Sequence, residues 1–207
     1  MRGRFITLEG GEGSGKTSNI AYIKSVLDEN KISVILTREP GGTPLAEAMR
    51  QILLDSKQES ITEQAELLMM FAARAQHIEH VIKPALKQGT WVLCDRFTDS
   101  TFAYQGEGRG MKREIIQWLE QFVQEGLKPD LTLLLDVPVE IGMQRAAQRG
   151  KLDRFESEKI AFFEKVRNAF LTMAEQQPER IKVIDATQQL EQVQASIYPL
   201  ITQFMAK

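Results

Sequence analysis

The sequence has little cysteine, no excess of charge of either sign and no long apolar run. Its one cysteine, Cys94, cannot form an internal disulfide or a cysteine-based zinc site. It lies within an apolar run and reads as a small buried side chain, in keeping with a reducing compartment. No stretch approaches the ~18 consecutive apolar residues of a bilayer span. The β-prone run Phe5 to Leu8 meets Glu9 at once, too soon for the h-region of a signal peptide. Lys and Arg total 26 against 28 Asp and Glu, a formal net charge of -2, so no basic surface for coating nucleic acid is indicated, although a local basic groove stays compatible with it. Repeats, low-complexity tracts and Gly/Ser linkers are missing too. The 207 residues therefore read as one large domain, or a core with small insertions.

What is present is a regular alternation. Short β-branched runs at Phe5–Leu8, Ile32–Leu36, Trp91–Cys94, Leu131–Leu135 and Ile181–Ile184 predict strands. Longer amphipathic segments predict helices at Lys16–Leu27, Pro44–Leu54, Met111–Gln124, Val139–Arg149, within Phe155–Glu175, and at Gln188–Met205. A further long helix begins after Thr62 as cap and runs from Glu63 to about Lys87, with Pro84 near its end as a source of kinking or shortening. Strands alternating with helices predict a three-layer α/β fold around a five-stranded, mainly parallel sheet. Strand order cannot be read from this pattern.

The first strand runs into Gly10-Gly11-Glu12-Gly13-Ser14-Gly15-Lys16-Thr17, which fits G-x-x-x-x-G-K-[ST] at every fixed position and opens a helix. Glycines let the backbone wrap an anion, and successive N–H groups meet the positive end of the helix. Lys16 suits β- and γ-phosphate oxygens, and the Thr17 hydroxyl suits Mg²⁺. A Gly-rich turn alone would not need Lys and Thr in register. The motif indicates a nucleoside triphosphate, but not the acceptor. No Asn-Lys-x-Asp run is present, which weakens a guanine-nucleotide switch reading.

Other residues gather at the same sheet edge. Asp95 and Asp136 end apolar strands and face the usual ligand crevice of an open α/β sheet. Asp95 reads as a partner for Mg²⁺-linked water, beside Arg96 for a phosphate oxygen. Asp136 is left between a capping and a functional role. In the rigid loop Thr37-Arg38-Glu39-Pro40-Gly41-Gly42-Thr43-Pro44, Arg38 offers a planar charged fork for a second phosphate, with Glu39 read as orienting it. Phe71 and Arg74 are three apart on one helical face, which fits either a stacking ring with a donor fork or a core Phe beside a surface Arg. His77 and His80 read as solvated helix histidines, without a third ligand for a metal. The run Asp99 to Gly106, with Ser100, Thr101, Tyr104 and Gln105, mixes hydroxyls, an amide and an aromatic ring suited to an acceptor's polar edge. Arg145, Arg149, Lys151 and Arg154 surround Gly150, as a basic flap over about 145–156 would.

Taken together, Phe5–Gly10 entering the phosphate loop, Thr37–Thr43, Asp95-Arg96-Phe97 with Ser100, Ala103, Tyr104 and Gln105, and Arg149–Glu156 resemble the thymidylate kinase family along essentially the whole chain. The resemblance implies a P-loop nucleoside monophosphate kinase fold with a small lid. It implies transfer of the ATP γ-phosphoryl to dTMP, Mg²⁺ as cofactor, a cytoplasmic homodimer, and no nucleic-acid polymer or membrane as partner. Arg38 would hold the acceptor phosphate with help from Arg96, which also serves the reaction alongside Lys16 and Asp95. Phe71 would stack on thymine, and Arg74 would donate to its carbonyl edge. Ser100, Thr101 and Gln105 would line the acceptor site, with Tyr104 against the deoxyribose and Glu12 near its 3′-hydroxyl. The phosphate loop carries Glu12, Gly13 and Ser14 and no arginine, which resembles the bacterial design with its arginines in the lid. Arg149 is then the first choice for the transition-state contact, ahead of Arg145 and Arg154. Ser18, where a second threonine is common in the family, keeps a small hydroxyl. Two rivals stay on the table. A deoxynucleoside kinase would have no purpose for a phosphate-binding Arg38, and a P-loop regulatory ATPase would hydrolyse slowly without an acceptor.

Overall fold

The computed structural model describes residues 2–55, 59–148, 154–155 and 158–206. The β-branched runs form strands β1 Phe5–Glu9, β2 Val34–Arg38, β3 Trp91–Asp95, β4 Leu131–Asp136 and β5 Ile181–Asp185. They make one parallel sheet in the order β2-β3-β1-β4-β5. β1, the middle strand, is buried along its whole length, and β4 along all but its last residue, as expected for strands covered on both faces. The ladder runs farther than the apolar runs suggest. Arg38 pairs with Asp95 and Asp136 with Asp185, so these acids and this arginine are the last residues of strands, not of the turns beyond. β2 is displaced by two residues from the expected Ile32–Leu36, because its pairing starts where Val34 meets Trp91.

The helices are α1 Lys16–Glu29, α2 Pro44–Leu54, α3 Glu63–His77, α4 Lys83–Lys87, α5 Thr98–Thr101, α6 Arg113–Gln124, α7 Val139–Ala147, α8 Ile160–Gln176 and α9 Leu190–Ala206. Thr43 and Thr62 cap α2 and α3 by accepting from Ala46 N (3.1 Å) and Ala65 N (3.3 Å). The expected single helix to Lys87 is instead α3, a π-helical turn at Ile78–Ile82, and α4. Pro84 has no N–H to give to the preceding turn, and the wider turn before it accommodates the ring without breaking the rod. A second π-helical turn, Phe102–Gly108, continues α5 and turns both Tyr104 and Gln105 inward.

Two layers of helices enclose the sheet. On one face Ile6, Leu8 and Leu133 pack with Ile23 and Leu27 of α1 and Ile197 and Ile201 of α9. On the other, Phe5, Val92 and Phe97 meet Ile78, Ile82 and Leu86, while Leu134 and Tyr104 meet the phenylalanines of α8. Each fully buried side chain of this kind contributes roughly 1.5–3 kcal/mol. Because the chain passes from β1 to the sheet edge at β2 and later returns to β4 on β1's other side, the loops after β1, β3 and β4 diverge and leave a crevice at their carboxyl ends.

Candidate active site at the strand ends

β1 delivers the glycine-rich loop to that crevice. α1 starts at Lys16 from Gly15, with no side-chain cap and no acid in its first turn. Its N-terminal N–H groups are thus left for an anion. Lys16 Nζ donates to the carbonyls of Gly10 (3.1 Å) and Gly11 (2.9 Å), which lays the side chain along the loop. Burial, with Arg96 adding to it, pushes the Lys16 ammonium down to about 8. Gly13 has φ +65°, and a Cβ there would lie 2.0 Å from Gly142 O on α7. Gly142 in turn faces Glu12 O, so the loop and α7 meet backbone to backbone.

Beside the loop lies a cleft lined by Glu12, Arg50, Arg74, Arg96, Tyr104 and Gln105, among others. Arg96 adopts a left-handed backbone, φ +65°, costly for a residue with a side chain and typical of functional positions. Its guanidinium donates to Ser100 Oγ (3.1 Å) and Glu12 Oε1 (2.9 Å) and lies 4.9 Å from the centre of the Tyr104 ring. The Tyr104 hydroxyl also donates to Glu12 Oε1 (2.9 Å). Ser100 Oγ donates to Glu9 Oε2 (2.6 Å), and Phe97 N donates to Glu9 Oε1 (2.7 Å). Glu9 is fully buried, and burial, reinforced by nearby Asp99, pushes its carboxyl up to about 8. Sequence reasoning passed over Glu9, although an acid ending an otherwise apolar strand was a usable signal.

One wall of the cleft is built by α3, through Met70 and Arg74. Arg74 is 2% exposed. Its Nε donates to Glu39 Oε2 (2.6 Å) and its Nη2 to Thr101 Oγ1 (3.0 Å), while Nη1 is buried without a hydrogen-bond partner among the described residues. Such a donor is costly unless a ligand accepts from it. Phe71 does not line this cleft. It is buried with Leu67, Ile116 and Leu119 because α6 packs on that side of α3, and its ring underlies the Arg74 guanidinium. The half-buried side chain lining the cleft one residue earlier is Met70, four residues before Arg74 and therefore above it on the same stripe.

Further expectations are corrected. Glu39 orients Arg74 and not Arg38, and it also accepts from His77 Nδ1 (2.8 Å). His77 is fully buried, with Nε2 bonded to Thr37 Oγ1 (2.6 Å), because α3 docks against the loop after β2; His80 is exposed, as expected. Arg38 pairs with Glu47 (2.9 Å), about half exposed and outside the cleft wall, where Arg50 stands, a residue the sequence reading did not select. Asp136 does not cap α7, which starts from Pro138 without a side-chain cap; it is held by Arg167 of α8 through two bonds of 2.8 and 2.9 Å, beside Gly11 and Glu12 of the phosphate loop.

The expected flap is described only in part. Arg145 donates to Ala186 O (2.7 Å) and Thr187 O (3.2 Å), and Arg154 to Leu53 O (2.7 Å) and Glu66 Oε2 (2.6 Å). Both are thereby tied to neighbouring elements, not to the phosphate loop. Arg149, Gly150, Lys151, Leu152, Asp153 and Glu156 lie outside the described residues. Cys94 is buried, as expected, and burial raises its thiol pKa well above the usual range.

For a divalent cation, the described residues hold no cluster of three or more His, Cys, Asp or Glu suited to binding one. Asp95 Oδ1 is nevertheless buried without a hydrogen-bond partner among them, at the strand end facing Lys16. One carboxylate and the Thr17 hydroxyl fit Mg²⁺, which binds through few protein ligands together with phosphate oxygens and water. No helix among the described residues is long and apolar enough to cross a membrane.

Comparison with known proteins agrees with this architecture. The family model described as thymidylate kinase matches residues 8–197. A thymidylate kinase of Pseudomonas putida (strain GB-1) is 58% identical over 201 residues, covering 97% of this chain and 96% of that protein. One from Chromohalobacter salexigens is 58% identical over 206 residues, covering 99% and 97%. The crystal structure of thymidylate kinase from Ehrlichia chaffeensis superposes with a TM-score of 0.78 at 34% identity, covering 98% of this chain and 99% of that one. With an uncapped phosphate loop beside an arginine-lined cleft, and with full-length similarity of this order, the chain belongs to the thymidylate kinase family.

Proposed function

We propose that the cleft transfers the γ-phosphoryl group of ATP to dTMP, giving ADP and dTDP, with its residues dividing the work as follows. The observation that carries this is the juxtaposition at one sheet edge of an uncapped phosphate loop and a second cleft walled by Arg50, Arg74 and Arg96. One anion site serves the donor and the other an acceptor that is itself anionic.

The acceptor oxygen belongs to a phosphate and needs no strong base, so catalysis is positioning and charge stabilisation. Lys16 and the loop amides of Gly10, Gly11, Gly13, Ser14 and Gly15 hold the β- and γ-phosphates. Arg96, braced by Glu12 and Ser100, faces the acceptor phosphate. Arg38 leaves Glu47 to join it, and Arg50 stands beside it. Arg74 donates to the thymine O4 edge, Gln105 faces N3–H, Met70 covers the base, and Tyr104 packs on the sugar with Glu12 near the 3′-hydroxyl. Thr17 and Asp95 would hold Mg²⁺, which when bound neutralises charge on the triphosphate. A lid over about 145–156 excludes water, and Arg149 supplies its transition-state charge; α7, two residues short of it, packs directly on the phosphate loop. The enzyme is cytoplasmic and a homodimer. α6 supports the latter: Ile116 and Leu119 face the core, yet Ile115, Trp118 and Phe122 are exposed, with the last two rings stacked at 5.4 Å.

A coupled ADP-release assay across dTMP, dUMP, dCMP, dGMP, AMP and thymidine tests this reading. Rapid turnover with dTMP and none with thymidine supports it. Thymidine turnover at the dTMP rate overturns it.

A further inference from the structure

We propose that Glu66 is a positioning residue that fixes which end of the Gln105 amide meets the nucleobase, and thereby sets the preference for thymine over cytosine. The proposal rests on the reading of the cleft as the dTMP site. Glu66, Met70 and Arg74 follow one another at four-residue spacing on α3, so all three lie along one stripe of the helix. Glu66 is 1% exposed, as is Gln105, which lines the cleft.

An amide has two chemically opposite ends of nearly equal size, so shape alone does not choose between them. Here Gln105 Nε2 donates to Glu66 Oε1 at 2.8 Å. A carboxylate only accepts, so only the nitrogen end can face it. The Gln105 oxygen takes no hydrogen bond among the described residues and is the end left for the ligand. Two guanidiniums offset the cost of burying this carboxylate. Arg154 Nη2 donates to Oε2 at 2.6 Å, and Arg109 approaches both oxygens at 3.4 Å.

The cleft therefore presents a donor, Arg74 Nη1, and an acceptor, Gln105 Oε1. Thymine offers the complement: O4 accepts and N3–H donates. Cytosine offers the reverse, with a donating N4 amine and an accepting N3. A reversed Gln105 would turn its NH₂ toward N3 and match cytosine at that position, leaving Arg74 alone to oppose the N4 amine. Buried polar groups left unmatched are what give a site strong discrimination between similar ligands.

The test is steady-state kinetics with dTMP and dCMP for the wild type, Glu66→Gln, Gln105→Ala and the double variant. Glutamine at 66 can present either end, which frees Gln105 to reverse. Glu66→Gln is expected to lower the dTMP-to-dCMP ratio of kcat/KM by about tenfold or more, mainly through dTMP KM, with kcat held within about threefold. In the Gln105→Ala background the same change is expected to move the ratio less than about twofold, because the effect travels through Gln105. An unchanged ratio in Glu66→Gln, even with lower kcat or Tm, overturns the proposal, as does an equal fall in both backgrounds. If Glu66→Gln does not fold, the Gln105 side-chain amide of the ¹⁵N-labelled wild type decides. A slowly exchanging proton before dTMP is added supports a fixed amide, and fast exchange of both protons overturns it. A wild type that uses dCMP as well as dTMP overturns the base-site reading itself; a selective wild type with an unmoved Glu66→Gln ratio overturns Glu66 alone.

Discussion

Replacing Phe71 by leucine and Met70 by alanine separates two adjacent residues with opposite duties. Phe71 is 2% exposed and packed against Leu67, Ile116 and Leu119. Leucine keeps the site apolar but leaves part of the ring volume unfilled, a loss of roughly 1–2 kcal/mol. For a chain of this length that lowers Tm by about 2–8 °C. Because the ring does not line the cleft, dTMP KM is expected to stay within about twofold. Met70 is half-buried, and its outer side chain lines the cleft. Alanine removes three heavy atoms, of which about half would cover the base. At ~0.8 kcal/mol per buried CH₂ this is about 1–1.5 kcal/mol, or a rise in dTMP KM of about 5–10-fold with kcat little changed. Differential scanning fluorimetry and dTMP saturation kinetics read the two effects separately. If Phe71→Leu raises dTMP KM as much as Met70→Ala does, the ring reaches the base and the assignment to Met70 is wrong.

Three further outcomes are expected. Glu9, raised to about 8 from an ordinary value near 4.5, keeps a proton in the folded state that the unfolded chain has lost, so its contribution to stability is fully present below about 4.5 and disappears as pH rises through 8. Glu9→Gln removes that dependence, and its Tm relative to wild type should climb by several degrees between pH 5 and pH 8; a constant difference contradicts the raised value. Arg149→Ala is expected to lower kcat by about 10² or more with little change in dTMP KM, as loss of a charge-stabilising group does; unchanged kcat removes it from the transition state. Arg38→Ala is expected to weaken dTMP binding by about tenfold in calorimetry, on the usual worth of a hydrogen bond to a charged group; unchanged affinity leaves the phosphate to Arg50 and Arg96.

The parts that could be read from sequence were those whose partners are near in the chain. The β1–loop–α1 unit follows from a strand, four glycines and a Lys-Thr pair within 13 residues, and it formed as expected. Helix phase was harder. Leu67 to Phe71 is apolar all round α3, so nothing local decides which residue meets α6 and which the cleft. Glu39 and His77 are 38 residues apart and Arg154 and Glu66 are 88 apart, so their pairings arise only when α3 docks against β2 and the Arg154–Phe155 segment. Arg38 stood where its motif predicts, yet its resting partner Glu47 sits on the next helix and draws it out of the cleft.

The backbone contact between Gly13 and Gly142 bears on how the enzyme would escape an inhibitor. A compound gripping the phosphate loop at the Gly13 amide leans on backbone that carries no side chain to alter. Any Cβ at Gly13 lands 2.0 Å from the Gly142 carbonyl and shifts the amides that ATP also needs. Resistance there would cost the native substrate. A compound resting on Met70 instead touches an unbranched side chain that other apolar residues can replace in volume, and that is where drug pressure would find its cheapest exit.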